Sequence, residues 1–254
     1  MSRYFIPVSL LLCVGSIAFL ALLRVGGEHV VEVEPIPGAL VQLAFENDLS
    51  DSGAFGFLGD IKDGRARFKD GVEGRAFDLR DDGSWLEYSS SVPLTINQPV
   101  EISFDLQWAG EGGHMTQTVA VLTGRRNGYL RHLSFGITNN RLPHFQVQFD
   151  GGDGNPVKLR TDPGSVSKNW HRVTLRVDRL QPLTSLYFDG ELAASTPSAP
   201  PGFDGITKIK LGTWFKNNQS YRGLLDNFVV RDLSVSVPGG RRLETETLGS
   251  LGQH

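Results

Sequence analysis

The chain has 254 residues and a formal net charge of −3, and its 25 Lys and Arg residues are outnumbered by 28 Asp and Glu residues. The basic residues are scattered along the sequence, which excludes a nucleic-acid-binding protein built on a basic surface. The one cysteine, Cys13, lies in an apolar N-terminal segment. The rest of the chain therefore has no thiol for a disulfide bond, a cysteine-ligated zinc ion or a cysteine nucleophile.

An uncharged segment, residues 4–23, lies between Arg3 and Arg24. As a helix it would be about 30 Å long, which is the thickness of the hydrocarbon core of a bilayer. A cleaved signal peptide has a shorter apolar core of about 7–15 residues, and the best cleavage site here is at 25–27. The length favours a retained transmembrane signal anchor, with a cleaved signal peptide as the alternative.

Both interpretations place the bulk of the chain outside the cytoplasm. Acidic residues follow Arg24, so Arg3 is expected to stay on the cytoplasmic side. We expect a single-pass protein of the cell membrane with its domain in the periplasm or the exterior, or a secreted protein if the segment is cleaved. The expected organisation is an anchor or signal peptide at 1–24, a linker at 25–38, a β domain at 39–237 and a disordered tail at 238–254.

Apolar and polar residues alternate along most of the chain after Gly38, which is typical of half-buried strands. Turn signals such as Asp189-Gly190 separate these stretches, and no stretch after residue 24 has a helical period. Many short strands without crossover helices predict an all-β, antiparallel two-sheet jelly-roll sandwich behind one N-terminal hydrophobic helix. Strands are expected near 40–46, 75–80, 84–88, 100–108, 116–123, 130–137, 143–149, 156–161, 169–178, 183–189, 206–212 and 223–232.

The two clearest alternating stretches are 169–177 and 221–230. We expect Trp170, at the start of the first, to bury a large apolar surface between the sheets. Asp189-Gly190 predicts a tight hairpin turn, because Asp and Gly tolerate the left-handed backbone that such a turn requires.

Four phrases occur in a characteristic order: 45–53 after the first strand, 74–86, 170–192 and 211–230. In these phrases the chain resembles a laminin G-like, concanavalin A-like lectin/glucanase domain, of the laminin G or pentraxin-like jelly-roll type. The resemblance covers about residues 40–235. It implies the same sandwich fold.

The resemblance also implies a structural calcium ion, because in this family the loop after the first strand and the last strand often approach one. It places the ion near Asp51 and Asp226, with backbone carbonyls completing a shell of about six to eight oxygens. The alternative is that Asp51 caps the turn at 51–53 and Asp226 accepts hydrogen bonds from backbone amides. The sequence leaves both open.

A catalytic site is not expected. Jelly-roll glucanases carry Glu-x-Asp-x-x-Glu on one strand, whereas Glu101 and Asp105 have the wrong spacing and no third acid. The phrase at 214–216 is similar to one in jelly-roll alginate lyases, but the other lyase motifs are missing. The four histidines of the β domain, which show no metal-ligand spacing, are expected on the surface or at strand ends: His114, His132, His144 and His171.

The loop from Trp214 to Tyr221 has the composition of a sugar-binding surface. Such a surface needs an aromatic plane for the apolar face of a pyranose ring and amide groups for its hydroxyls, and Trp214, Asn217, Asn218 and Tyr221 supply both. The alternative is a rim loop whose Trp214 folds back over the sheet edge. We expect a non-catalytic module that binds a polysaccharide or glycoconjugate. The alternatives are an adhesion or scaffold domain that binds an envelope or extracellular protein, and a polysaccharide hydrolase or lyase of the same fold.

Overall fold

The structure is a computed structural model. It describes residues 33–80, 84–94, 98–110, 116–126, 129–150, 155–200, 205–214 and 220–235. The predicted N-terminal helix and the tail at 238–254 lie outside these ranges. Within them, no helix is long and apolar enough to cross a membrane.

The described residues form strands that all pair antiparallel. The strands are β1 (Ala39–Leu43), β2 (Leu58–Asp63), β3 (Phe68–Asp70), β4 (Arg75–Asp78), β5 (Trp85–Leu94), β6 (Val100–Trp108), β7 (Thr116–Arg126), β8 (Tyr129–Thr138), β9 (His144–Asp150), β10 (Pro156–Arg160), β11 (Trp170–Asp178), β12 (Leu183–Phe188), β13 (Glu191–Thr196), β14 (Ile206–Leu211) and β15 (Gly223–Asp232).

These strands build two sheets. One has eight strands in the order β13-β12-β11-β6-β15-β4-β3, with β1 also paired to β15, and the other has seven in the order β10-β9-β8-β7-β14-β5-β2. The prediction of an all-β, antiparallel two-sheet sandwich is confirmed.

The period-two pattern of β11 decides which residues enter the core. His171, Val173, Leu175 and Val177 are buried, while the residues between them are half-buried or exposed. Trp170 therefore lies on the outer face and is only half-buried, so the prediction that it fills the space between the sheets is wrong. The regular Val and Leu positions that follow it set the register of the whole strand.

Phe104 joins the two sheets at the centre of the core. Its ring, on β6, lies 5.4 Å edge-on from Phe135 on β8 and 6.2 Å from Phe145 on β9, and it stacks 5.8 Å from Phe228 on β15. Each aromatic pair of this kind contributes about 0.5–1.5 kcal/mol beyond its buried area. Because side chains such as these fill the space between the inner faces, a ligand would bind at the outer faces or at the ends of the sandwich.

Candidate functional site

The outer face of the seven-stranded sheet gathers polar and aromatic side chains from four strands. Residues opposite one another across two strands point to the same side, and the register pairs Glu87 on β5 with Lys210 on β14 and Thr123 on β7 with His132 on β8. We call the group that these residues form the Trp214 face. It consists of Trp85, Glu87, Thr123, His132, Lys208, Lys210 and Trp214.

Trp214 lies across this face. It follows the end of β14, yet its ring is 5.5 Å from that of His132 on β8, at an angle of 52°. Since β7 separates β14 from β8, the chain after β14 must turn back over the sheet to bring the two rings together. Trp214 is half-buried there, so part of the indole packs on the protein and part stays accessible.

His132 supplies a neutral hydrogen-bonding group beside the indole. Its Nδ1 is 3.1 Å from Thr123 Oγ1. Burial lowers the pKa of His132; the Asp150 carboxylate opposes this effect and Lys210 adds to it. The imidazole is therefore uncharged at neutral pH, with one nitrogen as a donor and the other as an acceptor. The prediction of a surface or strand-end histidine missed this contact with Trp214.

Glu87 is held between two lysines. Its carboxylate is 2.9 Å from Lys208 Nζ and 3.9 Å from Lys210 Nζ. Lys210 Nζ also lies 4.8 Å above the ring of Trp85, which is almost completely buried. Charged groups on this face are thus paired and fixed in position.

The carboxylates described on or beside this face are each in an ion pair. Asp60 pairs with Lys62, Asp150 lies 3.6 Å from Arg131, and Glu87 contacts its two lysines. Hydrolysis of a glycosidic bond needs two carboxyl groups that converge on the sugar, one as acid and one as base or nucleophile. On the described part of this face, each carboxylate is instead held by a cation.

Of the predicted ligand residues, the structure describes Trp214 and Tyr221, and it places these two in different surroundings. Trp214 belongs to the exposed face described above, whereas Asn217 and Asn218 lie outside the described residues. Tyr221 is fully buried, and its hydroxyl donates to the backbone oxygens of Gln107 at 2.9 Å and Leu224 at 3.1 Å. Tyr221 is therefore a core residue that ties β6 to β15, contrary to the prediction that it contacts ligand.

Asp51 caps a loop. Its Oδ1 accepts hydrogen bonds from the backbone amides of Gln42 and Gly53, both at 2.8 Å, and its Oδ2 accepts one from Phe57 at 2.7 Å. Three amide donors satisfy the carboxylate without a cation. This is the capping role that the sequence left open for Asp51.

Asp226 lies in different surroundings from those of Asp51. Its oxygens accept hydrogen bonds from the backbone amides of Val72 at 3.0 Å and Asn227 at 2.8 Å. Burial raises the pKa of Asp226 to about 7; the amide hydrogen bonds oppose the rise, and the carboxylates of Asp105 and Glu46 add to it.

Asp51 and Asp226 accept hydrogen bonds from the amides of different segments. Among the residues that the structure describes, no group of three or more His, Cys, Asp or Glu is placed to hold a metal ion. The calcium ion that the resemblance implies near Asp51 and Asp226, with backbone carbonyls completing its oxygen shell, stays a prediction.

Ser167, His171 and Asp189 form a second polar network. Ser167 Oγ is 2.9 Å from His171 Nε2, and His171 Nδ1 is 2.8 Å from Asp189 Oδ2. The connectivity is that of a Ser–His–Asp triad, but the Ser167 backbone amide donates to the same Nε2 at 3.1 Å. His171 is buried and stacked 4.8 Å from Phe188. The network joins the start of β11 to the β12–β13 turn, so His171 lies at a strand end, as predicted, but is buried.

The two sheets and their accessible outer faces define a β-sandwich domain of the jelly-roll class. Residues 79–237, more than half of the chain, match the family model Laminin_G_3, described as the concanavalin A-like lectin/glucanases superfamily. The chain belongs to this family. No curated protein matches it.

Several solved structures share the fold at low sequence identity. The binding domain of botulinum neurotoxin serotype G has a TM-score of 0.56 and 16% identity, over 77% of this chain and 48% of that one. The serotype D ligand-binding domain in complex with N-acetylneuraminic acid has a TM-score of 0.58 and 15% identity, over 77% and 47%. The receptor-binding domain of botulinum neurotoxin D has a TM-score of 0.57 and 15% identity, over 77% and 49%. The chain thus spans about half the length of each structure.

Proposed function

We propose that this protein is an exported, non-catalytic module that binds a polysaccharide or glycoconjugate on the Trp214 face. The observation that carries the proposal is the half-accessible indole of Trp214 held across the outer sheet face by His132. Membership of a lectin/glucanase superfamily supports it, as does the fold shared with a domain whose structure contains N-acetylneuraminic acid.

The face provides both kinds of contact that a sugar needs. An indole packs against the apolar C–H face of a pyranose ring, while fixed polar groups orient its hydroxyls. The neutral imidazole of His132 and the hydroxyl of Thr123 lie within hydrogen-bond distance of each other, and the Glu87–Lys208 pair adds a carboxylate and an ammonium group. Because these groups sit on paired strands, they are positioned before the ligand arrives.

Export and membrane attachment belong to the same proposal. They rest on the length of the uncharged segment 4–23 and on the acidic residues that follow it. A retained segment would tether the module to the outer side of the cell membrane, and a cleaved one would release it.

A fluorescence titration tests the site. Contact of a sugar with an indole changes tryptophan emission, so oligosaccharide should change the emission of the wild-type protein and of Tyr129→Phe, which alters an exposed aromatic residue and keeps all four indoles. Trp214→Phe should lose that change and bind at least about tenfold more weakly, since the larger plane and its contacts are lost. The same response in Trp214→Phe and the wild type would contradict the proposed site.

A further inference from the structure

One end of the sandwich is the end at which the chain enters the β domain. β1 begins there, with Ala39 opposite Arg231 near the end of β15. β6 starts at the same end, because Val100 is opposite Asp232. Val177, near the end of β11, is also opposite Val100, so the β11–β12 turn lies at this end as well. We call it the entry end.

The seven-stranded sheet presents the β7–β8 hairpin at the entry end. At the far end of the sandwich, the indole nitrogen of Trp108, the last residue of β6, donates to Gln117 Oε1 near the start of β7, at 3.3 Å. β7 therefore ends where β6 starts, at the entry end. Ile206 is opposite both Gly124 near the end of β7 and Leu94 at the end of β5, so β5 ends there too.

Exposed apolar side chains concentrate at the entry end. Twelve large apolar residues are exposed in the part of the chain that the structure describes, and eight of them lie here. The β11–β12 turn carries Leu180 and Leu183, and the β7–β8 hairpin carries Tyr129 and Leu130. The other four are Ile36, Val92, Leu233 and Val235. Single exposed apolar residues are ordinary, but their concentration at one end marks an interaction surface.

The apolar residues beside the chain entry are held in place by the backbone. The Asp232 amide donates to the Gly38 carbonyl at 2.9 Å. The Leu233 amide donates to the Pro99 carbonyl at the same distance. Gly38 has a φ of +76°, and a Cβ atom there would lie 3.2 Å from Val235 Cβ, so the missing side chain lets Val235 approach the entering chain. Leu233 and Val235 are thus positioned beside the start of β1 and stay exposed.

The β11–β12 turn is also held by its own residues. Asp178 Oδ1 accepts hydrogen bonds from the backbone amides of Leu180 at 2.9 Å and Gln181 at 3.1 Å. The side chain of Leu180 remains 75% exposed. An apolar side chain on a closed turn is ready to bind a surface without first being ordered.

The position of the chain entry identifies the surface. Residues 33–38 lead into β1 at the entry end, and the segment proposed to enter the membrane, 4–23, precedes them in the sequence. The nine residues between, 24–32, reach at most about 32 Å when fully extended. A retained segment would therefore hold this end of the domain close to the bilayer.

The spread of the apolar residues agrees with a planar partner. β12, which begins at the β11–β12 turn, and β1, at the chain entry, are four strand spacings apart in the eight-stranded sheet, or about 19 Å. A lipid surface can contact both places and the β7–β8 hairpin together. The amphipathic ring of Tyr129 on that hairpin suits the headgroup region, where tyrosine is enriched.

We propose that the entry end of the domain rests on the bilayer, with the β7–β8 hairpin and the β11–β12 turn in the headgroup region. That the chain is tethered there by residues 4–23 rests on the proposed function. The Trp214 face is an outer sheet face and not an end of the sandwich, so it stays accessible to a glycan. Alkaline carbonate removes surface contacts of this kind, and in carbonate only the segment itself would retain the protein.

Quenching by lipid-borne quenchers tests this contact. The full-length protein, with Cys13→Ser, is reconstituted into vesicles of phosphatidylcholine and phosphatidylglycerol that carry a quencher on their acyl chains. A fluorescent probe attached through Leu180→Cys should be quenched and should emit at shorter wavelength, because side chains at such a surface reach about 5–10 Å into the headgroup and acyl boundary. The same probe attached through Leu192→Cys, on an exposed leucine at the far end, is the matched control and should show neither change.

A second substitution tests whether the hairpin and the turn bind one surface. Leu130→Asp should lower the ratio of docked to undocked protein, measured by the probe at position 180, at least about tenfold, because a buried leucine is replaced by a charge. Leu142→Asp changes an exposed leucine of the β8–β9 turn at the far end. It should leave the quenching unchanged.

The outcomes separate docking from tethering. Protein that inserts into the vesicles but shows no quenching at position 180, or equal quenching at positions 180 and 192, would overturn the docking and leave the tether intact. Emission at shorter wavelength without quenching would show that protein covers this end, and would overturn the lipid assignment. Failure of the protein to insert would contradict the tethering and this inference with it.

Discussion

At the scale of single residues, the ionisation of Asp226 affects stability. Its carboxyl is fully buried, and burial raises its pKa from 3.8 to about 7. The folded protein therefore holds this proton more tightly than the unfolded chain does. The stability that protonation provides is complete below about pH 4 and is lost as the pH rises toward 7.

Asp226→Asn should remove this pH dependence. The wild-type protein should lose between about 1 and 4 kcal/mol of unfolding free energy from pH 4.5 to pH 8, while the variant should lose less. Urea unfolding at both pH values measures the difference, and Asp70→Asn, on an almost fully exposed side chain, should behave like the wild type. A bound calcium ion would reverse the result, because it keeps the carboxylate ionised: chelator would then lower the Tm, and Asp226→Asn would abolish that response.

Tyr221 should act on stability and not on binding. Tyr221→Phe leaves the backbone oxygens of Gln107 and Leu224 without their buried donor, which should cost about 1–3 kcal/mol in chemical unfolding. Tyr187→Phe, on a partly exposed ring beside Arg176, should cost much less. Loss of oligosaccharide binding in a folded Tyr221→Phe protein would restore the ligand role first predicted.

The sequence could identify Trp214 but not its neighbours. An aromatic residue between two strands is visible as a candidate, whereas the contact with His132 depends on how the chain after β14 turns. The alternation of Lys208 and Lys210 along β14 marks an outward face, but only the sheet order shows that Glu87 lies opposite. Tyr221 is aromatic like Trp214, but it is fully buried whereas Trp214 is half-buried. The register of β15, which begins just after Tyr221, determines this difference.

At the scale of elements, the β12–β13 hairpin is fixed by its turn. Asp189 and Gly190 have φ values of 52° and 84°, as expected for Asp-Gly in a tight turn. The Asp189 carboxylate also accepts the Arg172 amide at 2.8 Å and contacts His171. The sequence predicted the turn from its residues, but the bonds to β11 depend on the fold.

Asp189→Ala should destabilise the protein by about 1–3 kcal/mol, because it removes two hydrogen bonds and places Ala at a positive φ. Thermal or urea unfolding measures the loss. Glu191→Ala, an exposed acid just after the turn, is the control and should change stability by less than about 0.5 kcal/mol. Equal effects of the two substitutions would show that the carboxylate bonds contribute nothing.

The strands that the sequence missed share one position in the fold. β2, β3 and β13 lie at sheet edges. An edge strand pairs on one side only and buries few side chains, so its apolar alternation is weak. The strands at the centre of the sheets, such as β6 and β11, were predicted almost to their ends because core packing dictates their residues.

At the scale of the whole molecule, the proposed export and tethering depend on residues 4–23. Alkaline carbonate extraction should leave the full-length protein in the membrane pellet if the segment is retained, and Ile17→Asp should weaken this association because a charge in the bilayer core is costly. Leu180→Asp, on an exposed side chain of the β domain, should have no effect. A protein that lacks the segment by mass would indicate cleavage, and recovery in the cytoplasm would contradict export.

The most direct test of the central proposal is a glycan array probed with the wild-type protein and with Trp214→Ala, using Tyr129→Ala as a control for the loss of an exposed aromatic residue. We predict binding to a defined set of glycans that Trp214→Ala loses and Tyr129→Ala retains. A blank array from the folded wild-type protein would contradict carbohydrate recognition and favour a protein partner.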